Sequence, residues 1–155
     1  MPSVFLDVDD EAGTAALGAR LAELLPAGSV VALCGTLGAG KTRLVQAIAE
    51  ACGAAPGSVV SPTFVLIQEY HAARNIYHFD AYRLRDEDEF LELGPDEYFE
   101  SGGLVFIEWA DRVASCLPHE RLEIHFTVTG SQSRRFEFRA FGPRYETLLA
   151  QLQGG

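Results

Sequence analysis

The sequence predicts an α/β protein in which buried parallel strands are joined to antiparallel strand pairs. Three observations carry this expectation. Val30–Cys34 and residues 104–107 are short, unbroken apolar runs of the kind parallel strands show when both faces are covered. The first run leads through a glycine-rich loop, residues 35–40, into a stretch where Leu44, Val45, Ile48 and Ala49 recur at helical spacing up to Gly53. Two pairs of strand-like stretches, 63–70 with 76–80 and 122–128 with 135–141, are separated by turn-like segments and read as hairpins.

The other elements fit between these. Residues 4–8 form an opening strand, and Asp9 or Asp10 caps a helix carrying Leu17, Leu21, Leu24 and Leu25, which Pro26 and Gly28 stop. Residues 54–61 are a Pro, Gly and Ser loop. Beyond Asp86, Phe90, Leu91 and Leu93 precede Gly94-Pro95, and Tyr98 and Phe99 follow, giving one or two short helices. Ala110–Cys116 reads as a short helix ended by Pro118, and residues 145–152 as a closing helix. No repeat or linker divides the chain, and 155 residues are one domain's worth, so residues 1–155 are expected to form a single domain.

Composition removes several classes of function. A 48% hydrophobic and 10% aromatic chain has enough apolar surface to fold, which excludes disorder for most of its length. No apolar run approaches the roughly 18 to 20 residues that span a bilayer, and the opening residues lack the basic start of a signal peptide. Neither membrane insertion nor secretion is expected. Cys34, Cys52 and Cys116 are odd in number and lack metal-ligand spacing, which points to a reducing, cytoplasmic location. The net charge is −10, and Asp86, Glu87, Asp88, Glu89, Glu92, Asp96, Glu97 and Glu100 crowd into one stretch without a base. Direct tight binding of RNA or DNA is disfavoured, and the acidic stretch reads as a solvated face or a docking surface for a basic partner.

The only lysine in the chain, Lys41, lies in Gly35-Thr36-Leu37-Gly38-Ala39-Gly40-Lys41-Thr42, which fits the P-loop pattern G-x-x-x-x-G-K-[ST] at every position. Glycines let the backbone curl around a phosphate, and the following helix turns its positive end toward the same anion. Leu37, Gly38, Ala39, Gly40, Lys41 and Thr42 are therefore the candidate nucleotide cradle, with Lys41 on the β and γ phosphates and the Thr42 hydroxyl on Mg²⁺. The alternative is a glycine-rich turn that happens to carry a lysine.

Such a site needs carboxylates at the ends of neighbouring buried strands. Glu108 ends "LVFIE" and is the candidate metal-side acid; Asp80 ends "IYHFD" and is the candidate that orients or deprotonates the attacking water. The two roles are open to exchange. Thr63, in "SPTF", lies on a loop able to fold over the nucleotide and sense its γ phosphate, unless that segment is only a Ser-Pro turn. Trp109 is a core aromatic, a lid or a partner contact. Cys34 reads as core, and His71, His78, His119 and His125 read as ordinary polar or packed residues.

The strings "GTLGAGKT", "VVSPTFVLIQEY", "YHFDAYRL", "ELGPDEYF" and "LVFIEWADR", in this order, resemble the TsaE (YjeE) family, small bacterial ATPases required to make threonylcarbamoyladenosine in tRNA. The likeness is close over residues 30–112 and looser at both ends, and Arg43 stands where the family usually shows a second threonine. It implies a P-loop NTPase-like mixed sheet with helices on its faces, ATP hydrolysis with Mg²⁺ held by Thr42 and Glu108, and Asp80 serving hydrolysis. It also implies work in a complex with TsaB- and TsaD-like subunits, through which alone tRNA would be met, and adenine contacts near Asp10 and Arg134. The isolated chain is expected to be a weak ATPase activated by its partners. Two other readings stay open, a small-molecule kinase and a nucleotide-dependent adaptor without hydrolysis. A GTP switch is excluded, because the guanine-reading [NT]-K-x-D needs a second lysine.

Overall fold

The protein's fold, described by a computed structural model, covers residues 2–36, 38–55, 67–82 and 84–154. Along the chain lie β1 (Ser3–Val8), α1 (Glu11–Leu24), β2 (Val30–Cys34), α2 (Lys41–Ala51), β3 (Ile67–His71), β4 (Asn75–Asp80), α3 (Glu87–Glu92), α4 (Pro95–Phe99) and β5 (Leu104–Glu108). A 3₁₀ segment (Ala110–Cys116), β6 (Arg121–Val128), β7 (Arg134–Phe141) and α5 (Pro143–Gly154) complete it. Asp10, not Asp9, caps α1, its carboxylate accepting the Gly13 N–H at 2.9 Å. The acidic stretch forms two helices, because Gly94 takes a left-handed conformation (φ 69°) between them and Pro95 starts the second. Ala110–Cys116 winds as 3₁₀ with a break at Val113, not as a regular helix.

The strands form one seven-stranded sheet in the order β1-β7-β6-β2-β5-β4-β3. Its centre is parallel: β2 pairs with β5 and β6, and β4 with β5. Both edges are antiparallel, β3 on β4 and β1 on β7. This is the mixed, P-loop NTPase-like sheet expected, and both hairpins are present over their described residues. The pairing of β1 with β7, Ser3 opposite Arg139, is a long-range contact that no local pattern announces.

Alternation along the central strands divides the core between two faces. Val31 and Leu33 of β2, Phe106 of β5 and Ile124 of β6 meet α1, α2 and α5 through Leu17, Leu21, Leu44, Ile48, Tyr145 and Leu148. Val30 and Ala32, Phe79 of β4, and Val105 and Ile107 of β5 pack on the opposite side with Phe90 of α3 and Val113. The buried Tyr145 hydroxyl accepts the Val30 N–H at 3.0 Å and fixes α5 against the start of β2.

Helices α1 and α2 cross closely at Gly18, where an added Cβ would lie 2.4 Å from the Ala47 Cβ and 3.0 Å from its carbonyl carbon. Alanine is the better helix former by roughly 1 kcal/mol, but here the backbone of α2 stands in its way. Gly18→Ala is accordingly expected to lower the unfolding free energy by about 1–3 kcal/mol in urea titration. A variant as stable as the parent would contradict this account of the crossing.

Candidate functional site

Strand β2 delivers the chain into the glycine loop, and α2 leaves it at Lys41. The turn is built on left-handed glycines, Gly38 at φ 79° and Gly40 at φ 100°, a region other residues enter at a cost. Gly40 is also the N-cap of α2, so no side chain caps this helix, and its first turn holds no acid. Helices α1 and α3 differ, each with an aspartate cap and acids in the first turn. Among the described α-helices, α2 is thus the one with no acid of its own in the first turn, and Lys41 adds a positive charge there.

The two acids stand side by side. Asp80 of β4 and Glu108 of β5 are register partners at the carboxyl ends of parallel strands. Both are buried, and the Asp80 carboxylate accepts the Tyr82 N–H at 2.8 Å. Glu108 is tied to α2: the Thr42 hydroxyl donates to its Oε2 at 2.7 Å. The same oxygen lies 2.5 Å from Nε2 of His78, which is fully buried. A carboxylate only accepts, so Nε2 is the donor. Nδ1 of His78 is then left as the one buried side-chain polar atom without a partner among the described residues.

Burial pushes the Glu108 carboxyl up, but the His78 hydrogen bond and charge, the Thr42 hydroxyl and the Lys41 charge outweigh it, and the net result lies below the ordinary glutamate value. Lys41 moves down from the ordinary lysine value because burial outweighs the pull of Glu108, Asp111 and Asp80. Its ammonium donates to the carbonyls of Gly35 at 2.8 Å and Thr36 at 2.9 Å, and sits 4.1 Å from the centre of the Trp109 ring. Cys34, just before the loop, has its thiol pushed up to about 11, first by burial and then by the charges of Asp111 and Glu123, which suits a packing residue rather than a nucleophile.

Beside the loop runs a cleft lined by Glu11, Thr14, Gly40, Arg43, Gln132 and Arg134 among others. Arg134 crosses from β7 to the loop, donating to the Ala39 carbonyl at 3.1 Å and approaching that of Gly38 at 3.5 Å. Asp10 is occupied as the cap of α1, whose next residue, Glu11, lines the cleft. Leu37 and Thr63 lie outside the described residues.

The structure therefore brings Gly38, Ala39, Gly40, Lys41, Thr42 and Arg134 around one loop and sets Asp80 and Glu108 at its foot. For lack of ligand spacing, His78 stood in the sequence among the ordinary polar or packed residues. The signal was its place two residues before Asp80, since alternate strand residues share a face. That face is the one toward α2, and the β4–β5 register puts His78 diagonal to Glu108. Trp109, Tyr82 and Arg112 form a second group the sequence left unassigned, with the Tyr82 and Trp109 rings 4.9 Å apart.

The donor set suits a hard divalent cation. Magnesium takes few protein oxygens and completes its shell with water and phosphate. Thr42 and Glu108 supply such oxygens. No group of three or more His, Cys, Asp or Glu able to hold a metal occurs among the described residues, so an all-protein cage is not offered.

Fold and loop together define a P-loop NTPase-like α/β protein. The family model described as "Threonylcarbamoyl adenosine biosynthesis protein TsaE" matches residues 8–136, and the chain belongs to that family. It is 41% identical over 140 residues to the tRNA threonylcarbamoyladenosine biosynthesis protein TsaE of Bacillus subtilis, covering 90% of this chain and 87% of that protein. The TsaE protein of a Nostoc species is 39% identical, over 97% of this chain and 93% of its own. The crystal structure of Bacillus subtilis YdiB superposes with a TM-score of 0.82 at 33% identity, covering 98% of this chain and 95% of that one.

The His78 contact carries a consequence for stability. His78→Ala removes a buried donor to a carboxylate and leaves a cavity beneath α2, and is expected to cost about 2–5 kcal/mol in chemical denaturation. A loss below 1 kcal/mol would show that Glu108 does not depend on this histidine.

Proposed function

We propose that this chain is a Mg²⁺-dependent ATPase acting in the biosynthesis of threonylcarbamoyladenosine in tRNA, in a complex with TsaB- and TsaD-like proteins. Membership of the TsaE family supports the pathway. The observation that carries the ATPase reading is the hydrogen bond from Thr42, last residue of the P-loop pattern, to Glu108 at 2.7 Å, with Lys41 over the same loop.

In this reading Lys41 binds the β and γ phosphates and answers the charge that builds up in the transition state. Thr42 and Glu108 would hold Mg²⁺, which when bound supplies charge neutralisation on the phosphate oxygens. Asp80, held by the Tyr82 amide, orients the attacking water and accepts its proton. Thr63 senses the γ phosphate, and the cleft beside Arg134 receives the base. Hydrolysis by the free chain is slow, because the water-side groups come into register only against the partners. The net charge of −10 supports leaving tRNA contact to those partners, as each phosphate contact needs a cation. A cytoplasmic setting agrees with three free cysteines and with the finding that no helix in the described residues is long and apolar enough to cross a membrane.

ATP turnover by the free chain and by its mixture with TsaB- and TsaD-like proteins tests this. Turnover is expected to rise in the mixture and to fall by at least about a hundredfold in Lys41→Ala. Glu108→Ala should weaken the Mg²⁺ dependence, whereas Asp80→Ala should lower turnover with nucleotide binding kept; the opposite pattern would exchange their roles. Phosphate appearing on a metabolite would favour the kinase reading, and nucleotide binding with no turnover in any mixture would favour the adaptor. Tight tRNA binding by the chain alone in a gel shift at physiological salt would contradict the division of labour.

A further inference from the structure

The group around Trp109 is not used by that reaction. Trp109 is the only non-glycine residue with a positive φ among those described, at φ 61° and ψ 38°. Bulky side chains enter this region at a cost and usually where something else holds them. What it gains here is a position under Lys41, 4.1 Å from the ammonium to the ring centre. An ammonium has three donors. Two go to the carbonyls of Gly35 and Thr36, and the indole face takes the charge from another side, which leaves Lys41 only 4% exposed.

The indole is itself braced. Tyr82 lies against it with ring centres 4.9 Å apart, and Arg112 donates to the Tyr82 carbonyl at 2.7 Å. Tyr82 is 49% exposed, so the brace runs from the surface to the P-loop lysine. The strand-end register fixes the geometry: Trp109 follows Glu108 at the end of β5, and Tyr82 follows Asp80 by two residues at the end of β4.

We propose that Trp109 is a positioning residue for Lys41. It holds the ammonium on the loop's own carbonyls, in a place that competes with phosphate, and nucleotide entry exchanges the indole and carbonyl contacts for phosphate oxygens. The proposal rests on the reading that Lys41 binds the phosphates. It adds that the lysine is held back before they arrive. A cation over an indole is attracted by the ring's quadrupole, so its loss shifts the balance between the two positions toward phosphate.

The single lysine makes the test direct. In protein labelled with ¹³C-lysine, the ε-methylene of Lys41 gives one signal, and a ring beneath it shifts that signal upfield. We expect an upfield signal in the free protein, an ordinary lysine position in Trp109→Leu, and an intermediate one in Trp109→Phe, which keeps a weaker ring should the leucine variant fold poorly. Mg-ATP should move the wild-type signal off the ring, and Trp109→Leu should bind Mg-ATP about two- to fivefold more tightly. An ordinary shift in the free protein, a signal indifferent to both Trp109 variants, a signal that stays on the ring with ATP bound, or weaker ATP binding by Trp109→Leu would each overturn the proposal. If calorimetry finds no nucleotide binding at all, the ATPase reading fails while the shifts of the free proteins still decide the Lys41–Trp109 contact.

Discussion

One carboxylate oxygen ties the functional half of this molecule together. Oε2 of Glu108 receives Nε2–H of His78 from β4 and the hydroxyl of Thr42 from α2, at 2.5 and 2.7 Å. Two elements distant in sequence are thereby fixed to the end of β5, at a point buried enough for each hydrogen bond to count for more than it would in water. A charged acceptor also strengthens both bonds relative to neutral ones. The position of the P-loop helix relative to the sheet, and so of Lys41 relative to the two acids, depends on this junction.

The electrostatics around it are arranged by contrast. Acids cluster at the caps of α1 and α3, whereas α2 begins on a bare glycine with the chain's only lysine in its first turn. In a protein of net charge −10, the helix end and Lys41 bring positive charge to the mouth of the parallel strands, beside the acids Asp80, Glu108 and Asp111. The loop carbonyls and the Trp109 ring take up the Lys41 ammonium there, with the charges of Glu108, Asp111 and Asp80 close by.

The parts of the fold that local physics determines were legible in the sequence. The buried runs of β2 and β5, the P-loop, α2 and both hairpins follow from apolar period, glycine placement and turn residues. Asp80 and Glu108 could be named because an acid closing a buried apolar run is costly unless it is used. His78 could not be named from its type, since one histidine in a strand looks like packing; its role depends on the register between β4 and β5, which is a tertiary fact. The same holds for β1, whose partner β7 lies more than a hundred residues away. Trp109 was open between core, lid and partner contact because none of these readings anticipates a positive φ, and the resemblance that pointed to Arg134 could not show its bonds to the loop carbonyls.

On the proposed reading, Thr42 and Glu108 are half of a cation site that a nucleotide completes. Titration of Mn²⁺, followed by its electron paramagnetic resonance signal, tests this most directly. Two protein oxygens hold such an ion weakly, so little Mn²⁺ should bind the protein alone, one ion per chain should bind when ATP is added, and Glu108→Ala should lose that ion's protein-bound signal. Tight Mn²⁺ binding without nucleotide, or an ATP-dependent ion indifferent to Glu108, would contradict it.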